Sequence, residues 1–130
     1  MQTTDALTIN GHVTLLADAV ISHTGTTTLT QPITGAFNLT KAGAGTLRLN
    51  NRSIAGTVTV EEGTLELPNG LTSTLLMDGG TVRVNGTLDG GLRGAGDGGE
   101  LLLGTGPVVV NVAGDVMFAG DTTLRMEMNG

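Results

Sequence analysis

Three carboxylates recur at a similar place along the chain and are the residues best suited to chemistry. Glu61, Asp78 and Asp97 each lie two residues before a glycine of a repeated strand motif. Stacked carboxylates could bind Ca²⁺, which takes roughly six to eight oxygen ligands. However, an acidic residue before glycine is common in solvent-exposed turns, and no further oxygen ligands converge in the sequence. We therefore predict ordinary corners and no metal site, with these three residues as the candidates for the alternative.

The remaining residue types offer little catalytic chemistry. Cysteine, tryptophan and tyrosine are absent, and His12 and His23 are isolated from other metal-ligand residues. Two close carboxylates could hydrolyse glycosidic bonds, but the chain has no Trp or Tyr to form a sugar platform. We predict no enzyme, no catalytic residue and no cofactor. A polysaccharide-acting enzyme remains the least favoured of three function classes.

Charge and hydropathy exclude two kinds of partner. The net charge is −6, with one lysine and five dispersed arginines, so we expect no nucleic-acid binding. No stretch approaches the roughly 18 apolar residues of a membrane span, so we expect no membrane insertion. Met1 is followed by residues 2–5 (Gln-Thr-Thr-Asp), which have no basic or apolar character. No signal peptide is therefore visible, so we expect either a mature fragment or a chain that leaves the cell by another route.

One five-residue motif recurs with nearly constant spacing. Its copies are residues 45–49 (Gly-Thr-Leu-Arg-Leu), 63–67 (Gly-Thr-Leu-Glu-Leu), 80–84 (Gly-Thr-Val-Arg-Val) and 99–103 (Gly-Glu-Leu-Leu-Leu), with glycines 18, 17 and 19 residues apart. Weaker copies are residues 27–30, where Leu29 precedes Leu47 by 18, and residues 122–126. Apolar and polar residues alternate in these copies, which is typical of half-buried strands.

Second short runs between these copies also indicate strands. They are residues 37–39, 58–60, 75–77 and 108–112. No segment has helical periodicity, so we predict an all-β chain. Asn-Gly and Asp-Gly dipeptides leave an antiparallel meander open. The nearly constant period favours a single-stranded parallel β-helix, a β-solenoid of about 18 residues per coil, with residues 1–130 forming one domain.

Stacking the motif copies predicts ladders of side chains on the outer surface. One ladder holds Arg48, Glu66 and Arg83, and alternating charges on neighbouring strands are favourable. A second ladder holds Thr46, Thr64 and Thr81.

The run from Leu39 to Leu49 (Leu-Thr-Lys-Ala-Gly-Ala-Gly-Thr-Leu-Arg-Leu) resembles the autotransporter-associated β-strand repeat. Its second half is residues 57–65 (Thr-Val-Thr-Val-Glu-Glu-Gly-Thr-Leu). The resemblance covers residues 39–67 closely and 71–103 loosely, and residues 114–130 are similar to late passenger segments. It implies a right-handed parallel β-helix outside a bacterium, serving adhesion, aggregation or spacing, without catalytic residues.

Both ends read as coils without a cap, because residues 7–9 and 124–128 still alternate. The chain is then either an excerpt of a longer solenoid or a subunit that stacks on itself. We expect an extracellular or cell-surface structural or adhesive module, whose partner is a second copy or a host or cell-surface component. A solenoid that binds glycan, Ca²⁺ or ice is the alternative.

Overall fold

The computed structural model describes residues 6–22, 24–50, 56–94, 99–103, 110–118 and 122–126. Within these ranges the chain forms eighteen short strands and no helix. In chain order the strands are β1 (Ala6–Ile9), β2 (Val13–Thr14), β3 (Ala19–Ser22), β4 (Thr26–Leu29), β5 (Ile33–Thr34), β6 (Leu39–Ala42), β7 (Thr46–Leu49), β8 (Thr57–Val60), β9 (Thr64–Leu67), β10 (Gly70–Leu71), β11 (Thr74–Met77), β12 (Thr81–Val84), β13 (Gly86–Leu88), β14 (Leu92–Gly94), β15 (Glu100–Leu103), β16 (Val110–Val112), β17 (Val116–Phe118) and β18 (Thr123–Met126).

These strands form the faces of a coil. The first sheet has the order β1-β4-β7-β9-β12-β15-β18, and the second has the order β17-β14-β11-β8-β6-β3. A third face carries the two small groups β2-β5 and β10-β13-β16. Every pairing among the described strands is parallel. Parallel neighbours one repeat apart require the chain to travel round and return. The predicted β-solenoid is therefore confirmed and the antiparallel meander is wrong.

The register of the first sheet confirms the repeat that the sequence shows. Leu65 pairs with Leu47 on one side and with Val82 on the other, and Val82 pairs with Leu101. The weak copy near the end also fits, because Leu101 pairs with Leu124. Equivalent residues therefore stack in columns along the coil axis.

The alignment of the earliest copy is wrong by two residues. Leu29 pairs with Leu49, and Thr27 stands in the column of Leu47. A shift of two keeps every side chain on its predicted face, so alternation alone does not detect it. The coil there is 20 residues long, as the pairing of Thr26 with Thr46 shows, and the buried Thr27 takes a position that later coils fill with leucine or valine.

The second runs are confirmed at β8 and β11 and corrected elsewhere. Phe37 is exposed and precedes the strand, which begins at Leu39. The run 108–112 includes β16, which lies on the third face and not on the second sheet. The sequence did not reveal a third face, because its strands are only two or three residues long.

The core is built almost entirely from aliphatic columns that face the coil axis. Its buried members are Leu15, Leu29, Ile33, Leu39, Leu47, Leu49, Val58, Val60, Leu65, Leu67, Leu71, Leu75, Met77, Val82, Val84, Leu88, Leu92 and Leu101. Burying one such side chain contributes about 1.5–3 kcal/mol, so repetition replaces the large aromatic rings of other cores. Glycines turn the corners, and Gly70 and Gly86 do so with φ of 85° and 101°.

Candidate functional site

The three candidate carboxylates are only partly placed. Glu61 and Asp78 follow strands whose last residues, Val60 and Met77, pair directly, so both lie at one corner on consecutive coils. Their backbone N–H groups donate to the coil before, Asp78 to the carbonyl of Val60 at 2.8 Å. Asp97 lies outside the described residues. In the described part of the chain no three His, Cys, Asp or Glu side chains form a group that could hold a metal.

The two histidines are also only partly placed. His12 is exposed, and His23 lies outside the described residues. Among the residues whose structure is given, no helix is long and apolar enough to cross a membrane.

The charged ladder on the first sheet forms as predicted. Arg48 pairs with Glu66 and Glu66 with Arg83 in the strand register. The Arg48 guanidinium lies 3.4 Å from the Glu66 carboxylate, and its Nε donates to Oδ1 of Asn50 at 2.8 Å. With side-chain exposures of 45% and 28%, this ion pair is screened by water and contributes about 0.2–1 kcal/mol. It marks the register more than it stabilises the fold.

The threonine ladder is confirmed and is longer than the sequence indicated. Thr26, Thr46, Thr64 and Thr81 follow one another in the register of the first sheet. Threonine suits such positions because its branched side chain packs well on a pleated surface. The ladder gives the sheet an even, polar outer face.

Side chains also extend the backbone ladder at the corner before the second sheet. Oδ1 of Asp18 accepts the backbone N–H of Asn38 at 2.8 Å, and Oδ1 of Asn38 accepts the N–H of Thr57 at 3.0 Å. Each acceptor lies one coil before its donor. These Asx side chains therefore tie three successive coils together beside backbone hydrogen bonds such as that from Ala19 N–H to the Asn38 carbonyl.

Lys41 is the residue that sequence reasoning missed. It is 0% exposed and belongs to an inward column, between Ile21 and Val60. The signal was present in the alternation of β6, because a residue two after the buried Leu39 must face the same way.

The buried ammonium of Lys41 is surrounded by carbonyl oxygens at a corner. Nζ donates to the carbonyls of Ala42 at 2.8 Å, Gly43 at 2.7 Å and Glu62 at 3.2 Å. Burial lowers the pKa of Lys41, and the nearby Glu62 carboxylate partly offsets this by raising it. The aliphatic stem thus packs in the core while the charge is solvated by peptide groups.

Glycine is required around this corner. Gly43 and Gly63 both have a φ of 77°, which side-chain-bearing residues rarely adopt. A Cβ at Gly63 would collide with the carbonyl oxygens of Gly43 and Gly45 and would lie 2.7 Å from Nζ of Lys41. The absence of a side chain at Gly63 therefore lets two coils approach the ammonium.

The first described coil leaves apolar surface open. Leu7 and Val20 are 55% and 65% exposed on β1 and β3, which are the outermost strands of the first and second sheets. A cavity of about 480 Å³ opens there, lined by residues that include Leu7, Val20 and Leu29. At the other end of the second sheet the three residues of β17 are also exposed.

A comparison with known protein families matches one segment of the chain. Residues 39–67 match the passenger-associated-transport-repeat family. Neither a curated protein nor a solved structure matches the chain. The matched segment runs from the start of β6 to the end of β9 and contains the Lys41 corner. The predicted resemblance to autotransporter passenger repeats is confirmed for this segment, and the chain around it is a β-solenoid.

Proposed function

We propose that this protein is a structural module of the bacterial surface, in which stacked coils act as a stiff extracellular spacer. The observation that carries the proposal is a passenger repeat embedded in one continuous seven-stranded parallel sheet. Passenger repeats are consistent with a cell-surface or extracellular location. A stack of coils about 4.8 Å apart gives length without requiring any one residue to bind a ligand.

A deletion of one coil in register tests the spacer role. Removing residues 64–80 joins Gly63 to Thr81, which is the partner of Thr64 in the sheet. The shortened chain should keep its melting behaviour and its surface function, and the rod should lose about 4.8 Å. Antibody labelling of intact bacteria that produce each form checks the location.

The matched control removes residues 64–72, which is about half a coil. This deletion breaks the register and should unfold the protein, because inward columns then meet outward ones. If the in-register deletion folds but abolishes adhesion or any activity, the deleted coil contains a specific site. A ligand-binding or enzymatic solenoid would then replace the spacer.

We further propose that copies of the chain stack end to end into fibres. The open strand β1 carries the exposed apolar side chain of Leu7, which stands in the inward column of Leu47, and the exposed β17 lies at the far end of the second sheet from the open strand β3. Stacking would continue both sheets with the parallel pairing already present inside the chain. Such a head-to-tail contact repeats without closing and builds a filament.

Charge at the open edge tests self-stacking. Leu7→Lys places an inward-pointing charge on β1, a device that blocks pairing at strand edges. Leu16→Lys is the control, because Leu16 is 85% exposed and lies in no strand. Negative-stain microscopy and sedimentation should show fibres for the wild type and the control, and single particles for Leu7→Lys. Wild-type protein that stays monomeric at high concentration would contradict fibre formation and leave the spacer role intact.

A further inference from the structure

Among the described residues, one charged side chain is buried in the interior of the solenoid. Lys41 is the only lysine of the chain, and it stands in a column of aliphatic residues. An isolated buried charge is strongly unfavourable unless hydrogen bonds replace its water. The groups around Nζ must therefore be hydrogen-bond acceptors that suit a charged amine.

The acceptors match the donors of an ammonium group in number. A protonated amine has three N–H donors, and three carbonyl oxygens receive them, from Ala42, Gly43 and Glu62. A neutral amine has only two N–H bonds and would leave one carbonyl without its donor. The three acceptors therefore offset part of the effect of burial, which lowers the pKa of Lys41.

The site joins two coils at one of the places where the coil length changes. Ala42 and Gly43 belong to the coil of Lys41, while Glu62 is 21 residues away on the next coil. Below this corner Ala19 pairs with Leu39, a separation of 20 residues, and above it Thr57 pairs with Thr74, a separation of 17. Neighbouring coils of unequal length could pair in more than one register. A contact inside the core that forms in only one of these registers therefore selects that register.

We propose that the corner formed by residues 42–45 and 62–63 is a binding site for a primary ammonium group. Lys41 supplies that group in the intact protein and thereby fixes the offset between two consecutive coils. The site recognises N–H donors and positive charge together. Gly63 belongs to it as the residue whose missing side chain admits the ammonium.

Chemical rescue of a truncated lysine tests the proposal. Lys41→Ala removes three methylene groups and the amine, which are the atoms of n-propylamine. The melting temperature of the variant should fall by several degrees, and n-propylammonium chloride should recover most of that loss, because a ligand that binds the folded state stabilises it. The wild type should show no comparable gain.

Three controls separate the contributions of charge, N–H donors and apolar filling. Tetramethylammonium carries charge without N–H bonds, 1-propanol fills space without charge, and sodium chloride matches the ionic strength. None of them should restore the variant. Equal recovery with 1-propanol, or no recovery specific to n-propylammonium, would overturn the proposal.

A measurement on the wild type covers the case in which Lys41→Ala does not fold. Because the chain has one lysine, ¹⁵N-lysine labelling gives a single Nζ resonance. We expect an ammonium signal whose protons exchange slowly with water at neutral pH. Fast exchange, or a neutral amine at neutral pH, would contradict the proposal.

Discussion

Alanine at Gly63 should be strongly destabilising. The residue has a φ of 77°, and a left-handed conformation costs a residue with a Cβ about 1–2 kcal/mol. The added carbon also meets two carbonyl oxygens and the Lys41 amine, and overpacking of this kind costs roughly 1–3 kcal/mol more. We expect Gly63→Ala to lower the free energy of unfolding by about 2–5 kcal/mol in total.

Gly11→Ala is the matched control for this experiment. A Cβ at Gly11 meets nothing within 4 Å, and its φ is not positive, so the variant should be neutral or gain up to about 1 kcal/mol. Urea titration followed by far-ultraviolet circular dichroism measures both variants. If Gly63→Ala unfolds within about 1 kcal/mol of Gly11→Ala, the account of the corner is wrong, because both the strain and the collision would be absent.

Three further perturbations follow from the same structure. Since burial lowers the pKa of Lys41, the unfolded chain binds more protons than the folded one over a window that ends near the ordinary lysine value of 10.5. The free energy of unfolding of the wild type should therefore rise with pH in that alkaline window relative to that of Lys41→Met. Urea midpoints of the two proteins that differ by the same amount at every pH would contradict this. A double-mutant cycle of Arg48→Ala and Glu66→Ala should give a coupling free energy of about 0.2–1 kcal/mol that falls as salt is added. A coupling free energy that does not depend on salt would show that the ion pair is shielded from water. Asn38→Ala should cost about 1 kcal/mol through the lost acceptor for the N–H of Thr57, whereas Asn38→Asp keeps an acceptor and should cost less in thermal melts.

The sequence predicted the fold because its strongest pattern is local. The alternation in residues 46–49 and 64–67 assigns faces, and their spacing assigns neighbours. Together these favour parallel stacking and predict the position of the Arg48 and Glu66 ladder, which the structure confirms. Repetition makes this inference robust, since each coil repeats the information of the last.

The features that were missed depend on contacts between coils of different length. The two-residue slip at Leu29 leaves the face pattern unchanged, so only the pairing reveals it. The charge of Lys41 predicts an outward side chain, whereas its position two residues after Leu39 predicts an inward one. Only the carbonyls of Gly43 and Glu62 show how the inward position is satisfied.

The most direct measurement of the central claim is disulfide crosslinking along the threonine ladder. The chain has no cysteine, so engineered pairs report only their own distance. Thr46→Cys with Thr64→Cys places the two cysteines on adjacent strands, with their Cα atoms about 4.8 Å apart, which is within the Cα–Cα range of a disulfide. Thr46→Cys with Thr81→Cys places them two coils apart, at about 9.6 Å, which is too far. Parallel stacking predicts rapid oxidation within the monomer for the first pair and none for the second. Equal or preferred oxidation of the second pair would contradict the solenoid register on which the proposed spacer role depends.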